Sequence, residues 1–221
     1  MLSCLIKTIF KSIEDIPYCI INTGTYDLRD LKDTEFDIFT YEIDRFLKCT
    51  VMNCRESIND ENSICIDLVD DDQAIIKVVE SENVVIINVY SSIGGKTKLR
   101  DGYLGSVIEG SKITKTTFGT NVKIASEIDE NIIRYIKYLE YYCTRPDSVG
   151  QLDCILKYFD ENDENKRKFF DKLYYYTGFP QRVDVDKLRK KSSLKYYLSK
   201  VFNKTKRLVR RLRRLAMKNQ E

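Results

Sequence analysis

The sequence contains no histidine and no tryptophan, and only 9 Gly and 3 Pro occur among its 221 residues. Without an imidazole, a histidine general base, a histidine metal ligand and a Cys–His catalytic pair are all excluded. The low Gly and Pro content excludes a collagen-like or low-complexity chain, and a hydrophobic fraction of 43% suffices for a buried core. A core of this size needs no disulfide or metal for stability, so stability says nothing about a cofactor. We expect no cofactor.

The chain also lacks the cysteine patterns of a zinc site or a disulfide framework. Its seven cysteines include no Cys-x-x-Cys pair, and the closest two are Cys49 and Cys54. Reduced thiols are therefore the better interpretation. No segment reaches the ~18 apolar residues of a membrane span, and the N-terminus lacks a signal-peptide pattern. The sequence predicts a cytoplasmic protein that could associate with a membrane surface.

Charge is distributed unevenly along the chain. Residues 182–221 contain 15 Lys or Arg against 3 Asp or Glu, a net charge of +12. Since the whole chain has 37 basic and 34 acidic side chains, residues 1–181 hold 22 and 31, a net charge of −9. The sequence is an acidic body with a basic tail, which indicates an anionic partner for the tail or its docking on the body.

Apolar spacing predicts two helices in the first 50 residues. One covers residues 2–16 and ends before Pro17. The other runs from Thr34 to Lys48, with Thr34 and Asp37 as a capping pair. Its apolar face would consist of Phe36, Phe39, Ile43, Phe46 and Leu47.

The middle of the chain has the pattern of strands. Between residues 63 and 90, alternating and β-branched runs are separated by short polar links, which is typical of an antiparallel meander. Short strands are expected around residues 106–108, 113–118 and 122–125. Helical periodicity then predicts three helices from Ser126 onward, the last closed by Gly178 and Pro180.

These elements predict an α+β fold. A small antiparallel β-sheet with packed helices is followed by an α-helical C-terminal region that ends in a long basic amphipathic helix. Three parts are expected: a mixed α+β body over residues 1–145, a helical extension packed on it over 146–180, and the basic tail over 181–221.

The run Asp70-Asp71-Asp72 is a weak candidate for a divalent-cation site, because Mg²⁺ and Mn²⁺ prefer clustered carboxylates. The triplet resembles the aspartates by which many glycosyltransferases hold a metal and a sugar nucleotide. A solvated acidic turn is the favoured interpretation, since three successive side chains cannot all point one way.

The basic tail carries the clearest amphipathic pattern. An apolar stripe recurs at steps of three and four, and the basic residues fall outside it. The apolar stripe consists of Leu194, Leu198, Val201, Leu208, Leu212 and Leu215. The candidate anion-binding residues are Lys200, Lys204, Lys206, Arg207, Arg210, Arg211, Arg213 and Arg214.

From these features we predict a non-catalytic intracellular binding or assembly protein whose tail engages an anionic partner. Membrane headgroups are slightly favoured over nucleic acid, an acidic protein is also possible, and the 194–215 stripe could form a homo-oligomer. Two alternatives stay open. One is a peripheral-membrane, metal-dependent, glycosyltransferase-like enzyme that uses Asp70–Asp72. The other is an immunity-type inhibitor whose acidic body binds a basic protein.

Overall fold

A mixed β-sheet forms the centre of the molecule. The computed structural model describes residues 2–21, 35–57, 64–80, 83–92, 99–116, 119–141 and 148–178, together with Lys187 and Lys190. The strands in these ranges are β1 (Tyr18–Ile21), β2 (Glu35–Thr40), β3 (Ile64–Asp70), β4 (Gln73–Glu80), β5 (Asn83–Tyr90), β6 (Lys112–Lys115) and β7 (Asn121–Ile124). The helices are α1 (Leu2–Ser12), α2 (Ile43–Ser57), α3 (Tyr103–Glu109), α4 (Glu127–Tyr141), α5 (Ser148–Glu161) and α6 (Asp163–Thr177). The predicted α+β class is confirmed.

The strand order is β3-β4-β5-β2-β1-β7-β6. The predicted antiparallel meander is β3-β4-β5, whose strands are joined by short links. The pairs β2–β5 and β1–β7 are parallel, so the sheet is mixed and larger than the antiparallel sheet expected from the sequence. Strand β2 lies in the centre, between its parallel neighbour β5 and its antiparallel neighbour β1.

Helices pack on both faces of this sheet. One core joins the apolar sides of α1 and α2 to alternate residues of the strands, such as Phe36 and Ile38 of β2. The other joins α3, α4, α5 and α6 to Cys19 and Ile21 of β1 and Phe39 of β2. Because strand side chains alternate between faces, Phe36 and Phe39 belong to opposite layers.

Two predicted elements have the wrong type. Residues 35–40 form strand β2 rather than the first turns of a helix, and the helix α2 begins only at Ile43. Residues 106–108 belong to helix α3 rather than to a strand. In both places short apolar segments fit either period, and packing in the sheet or against it decides the outcome.

The C-terminal helices follow the sequence pattern. Helices α4, α5 and α6 lie where periodicity predicted them, and Gly178 ends α6 with a φ of +73°. The predicted tail helix, its apolar stripe and its candidate anion-binding residues lie outside the described residues. Among the helices that are described, none combines the length and hydropathy that a membrane-spanning helix requires.

Candidate functional site

Two carboxylates lie on one face of the central strand β2. Glu35 and Asp37 alternate with the buried residues Phe36 and Ile38, so both carboxylates project to the side opposite α1 and α2. In the parallel pairing of β2 with β5, Asp37 lies directly opposite Asn88. The strand register therefore brings Asn88 beside two carboxylates that lie about fifty residues earlier in the sequence.

The Asn88 amide bridges the two carboxylates. Its Nδ2 donates to Glu35 Oε1 at 2.8 Å and to Asp37 Oδ1 at 3.0 Å. An ionised carboxylate can only accept hydrogen bonds, so the nitrogen of the amide must face the pair. Asn88 is only 9% exposed, and its side chain is held among the strands.

A lysine from the helical layer completes the cluster. Lys137 of α4 places its Nζ 3.4 Å from Asp37 Oδ2, and this pair is partly buried. The same Nζ lies 5.4 Å from the centre of the Tyr90 ring, on strand β5. Lys137 thus supplies one positive charge beside two negative ones.

The sheet beyond this cluster is open on the same face. In register with Glu35 lie Ile86, Lys77 and Cys65 on successive strands, and the last two are exposed. The next row, in register with Asp37, continues through Asn88 to Ile75 and then to Asp67, which is exposed. The carboxylates therefore lie at the boundary between the helical layer and an accessible sheet surface.

A second polar cluster is buried within the helical layer. Asp129 of α4, fully buried, accepts from Lys172 Nζ at 2.8 Å and from Tyr176 OH at 2.7 Å, both on α6. Ser126 also donates to it at the start of α4. Burial raises the pKa of Tyr176 well above its ordinary value, and the hydrogen bond that its hydroxyl donates to Asp129 raises it further. This cluster fastens α6 to α4 around a fully buried carboxylate, so we assign it a structural role.

The predicted metal candidates lie elsewhere. Asp70 ends β3, and Asp71 and Asp72 form the exposed turn to β4, where Asp72 accepts from Ser91 Oγ at 2.8 Å. No group of three or more His, Cys, Asp or Glu side chains within the described ranges could hold a metal ion. Asp71 and Asp72 are exposed, and the interpretation of the triplet as a solvated acidic turn stays a prediction.

Sequence reasoning missed Glu35, Asp37, Asn88 and Lys137 as site residues. The available signal was the alternation Glu35-Phe36-Asp37-Ile38, which places two acids on one side of a strand. In the predicted helix the same two acids would be about 200° apart around the axis. The wrong element type therefore concealed the site.

The donor set fits a hard divalent cation. Mg²⁺ prefers oxygen ligands, keeps several waters, and is commonly held by one or two protein carboxylates together with substrate phosphates. Glu35 and Asp37 supply two such carboxylates, whereas the Asn88 amide turns its nitrogen, not its oxygen, toward them. Cysteine and histidine ligands, which favour softer metals, are absent from this cluster.

Comparisons with known proteins give distant structural likenesses. No family model matches the chain, and no curated protein does. An H. pylori protein described as a nucleotidyltransferase is 12% identical, with a TM-score of 0.35 and coverage of 94% of this chain and 96% of that one. The Megavirus polyadenylate synthase is 15% identical, with a TM-score of 0.37 and coverage of 76% of this chain and 31% of the synthase.

These findings contradict the predicted function. Both solved structures carry the names of enzymes, whereas the sequence predicted a non-catalytic binding protein or, alternatively, an inhibitor. Membrane association and an amphipathic membrane-binding helix find no support either. Because both TM-scores are below 0.5, the likeness assigns no activity to this chain, and the proposal below rests on the geometry of the cluster.

Proposed function

We propose that the protein is a metal-dependent nucleotidyltransferase whose active site is built on Glu35 and Asp37. The observation that carries the proposal is the convergence of these two carboxylates, both within 3.0 Å of one amide nitrogen, beside an open sheet face. Carboxylate pairs of this kind hold the cations that bind nucleotide phosphates in polymerases and related enzymes.

The residues have distinct roles in this proposal. Glu35 and Asp37 would hold a divalent cation, which when bound neutralises charge on the phosphates of a nucleoside triphosphate. Lys137 lies 3.4 Å from Asp37 and orients that carboxylate through their ion pair. The exposed surface formed by β3 and β4 leaves room for an acceptor molecule next to the carboxylates.

The reaction is a displacement at phosphorus. An acceptor hydroxyl oxygen bonds to the α-phosphorus, the bond from that phosphorus to the bridging oxygen of the leaving group breaks, and pyrophosphate departs. The hydroxyl proton goes to solvent. No imidazole is needed, which agrees with a chain that has no histidine. Hydrolysis of the triphosphate is the same displacement with water as the acceptor, and the products distinguish the two.

The test follows labelled nucleotide. The full chain is incubated with an RNA oligonucleotide as added acceptor, Mg²⁺ or Mn²⁺, and one of four nucleoside triphosphates labelled at the α-phosphate. Two quantities are measured: the pyrophosphate released, and the label transferred to the RNA or to the protein itself. We expect metal-dependent transfer that Glu35→Gln and Asp37→Asn each lower by at least about 100-fold. Asp71→Asn, an exposed acid in the β3–β4 turn, is the matched control and should retain full activity.

Two results would contradict the proposal. Release of free nucleoside monophosphate without transfer in any reaction would identify a hydrolase. Equal activity of the Glu35→Gln, Asp37→Asn and wild-type proteins, all with the same circular dichroism spectrum, would show that the carboxylate pair does not carry the chemistry.

A further inference from the structure

We infer that the Asn88 amide occupies the cation position of the free protein, so that a divalent cation enters the site only together with the phosphates of a nucleotide. The inference rests on the proposed function, since it concerns the same two carboxylates. It assigns to Asn88 a positioning role that controls when the metal binds.

The geometry places the amide nitrogen where a shared cation would lie. Its two hydrogens go one to each carboxylate, at 2.8 and 3.0 Å between heavy atoms. Hydrogen bonds to ionised acceptors are about twice as strong as neutral ones. Since Asn88 lies in the strand pair β2–β5 and is nearly buried, its backbone cannot move aside without breaking the register.

Charge also weakens binding of a cation alone. Glu35 and Asp37 contribute two negative charges, and Lys137 at 3.4 Å from Asp37 offsets one of them. A metal site with three carboxylates would be more negative, whereas Asn88 adds no charge at the position opposite Asp37. Mg²⁺ gives up its waters reluctantly, so a weakly charged pair already bridged by an amide competes poorly with solvent.

A nucleotide changes this balance. Its triphosphate supplies further oxygen ligands and negative charge that accompany the cation into the site. Asn88 Oδ1 accepts no hydrogen bond from the described residues. A half-turn of the amide would therefore break only the two bonds donated by Nδ2 and would present an oxygen to the cation. We expect this exchange to occur when metal and nucleotide bind together.

The experiment measures Mn²⁺ binding to the full chain, by the loss of the free-ion signal in electron paramagnetic resonance. Titrations are done with and without a non-hydrolysable analogue of ATP. For the wild type we expect weak binding of Mn²⁺ alone, and binding at least about tenfold tighter with the analogue, after correction for Mn²⁺ held by the analogue itself. Asn88→Asp should tighten binding of Mn²⁺ alone by about tenfold or more.

A second variant protects the test against misfolding. Asn88→Ala removes the bridging donor without adding charge, and it should also tighten binding of Mn²⁺ alone, by about threefold or more. If Asn88→Asp fails to fold, as judged by circular dichroism, Asn88→Ala decides the matter. Glu35→Gln should abolish the Mn²⁺ binding of either variant.

The outcomes separate the two proposals. Equal binding of Mn²⁺ alone by the wild type, Asn88→Asp and Asn88→Ala would overturn the role of Asn88, while loss of that binding in Glu35→Gln would leave the proposed function standing. Absence of Mn²⁺ binding in every protein, with or without nucleotide, would overturn the proposed function itself.

Discussion

Buried tyrosine hydroxyls make the stability of this protein sensitive to alkaline pH. Tyr18 of β1 is 2% exposed, and burial raises its pKa to about 12; burial raises the pKa of Tyr135 on α4 to about 12 as well. The uncharged phenol is the form that fits these sites, because a phenolate would lose its hydration there. Each pKa unit of such a shift corresponds to about 1.4 kcal/mol.

The expected pH dependence follows from the sign of this shift. Since the folded-state pKa of Tyr18 lies above the ordinary value of 10.0, its contribution is complete below pH 10 and is lost as the pH rises from 10 to about 12. Tyr18→Phe should therefore lose less unfolding free energy between pH 9 and 11.5 than the wild type. Urea unfolding followed by circular dichroism measures this. Tyr175→Phe, at an exposed position, is the control; equal pH slopes in Tyr18→Phe and wild type would contradict the argument.

At the scale of elements, the sequence predicted the long helices better than the strand that carries the site. Helices α4 and α6 show one clear period over about four turns, and Gly178 marks the end of α6. Residues 35–40 are too few to establish a period. Phe36 and Phe39 are three residues apart, which fits one face of a helix as well as the two opposite faces of a strand. Element type there is decided by pairing with β1 and β5.

The parallel pairing of β2 with β5 was the other missing piece. No local sequence pattern predicts that Asp37 lies opposite Asn88, because a helix and two strands separate the two paired segments in the sequence. The meander β3-β4-β5 was predictable because its links are short. The candidate site thus depends on a long-range strand pairing, which sequence periodicity does not predict.

The glycine at the end of α6 gives a prediction for this element. Gly178 has a φ of +73°, and a Cβ there would lie 2.6 Å from Arg100 Nε. The arginine side chain can move, so the main cost of Gly178→Ala is backbone strain, about 1–2 kcal/mol of unfolding free energy. The matched control is Gly150→Ala in α5, where a Cβ would meet nothing within 4 Å. This substitution should raise the unfolding free energy by about 0.5–1 kcal/mol. Equal effects of the two substitutions in chemical denaturation would contradict this account.

At the scale of the whole molecule, the described residues of both cores precede the basic tail in the sequence. Within the described part of the chain, the last buried residues of the helical layer are on α6, where Leu173 and Tyr176 are each 1% exposed. Residues 1–181 carry a net charge of −9 and residues 182–221 a net charge of +12. The division of the chain at residue 180 stays a prediction.

We expect residues 1–180 to fold without the tail. Removal of residues 181–221 deletes none of the described residues that form the two apolar cores, so the cooperative urea transition should remain, with an unfolding free energy within about 1 kcal/mol of that of the full chain at 0.15 M salt. A chain ending at Phe170 is the control; it loses Leu173 and Tyr176 and should lose its cooperative transition, because removal of each large buried side chain costs about 2–5 kcal/mol. If the chain of 180 residues instead aggregates or unfolds without cooperativity, the tail contributes to the core, and its basic side chains serve to offset the charge of the body.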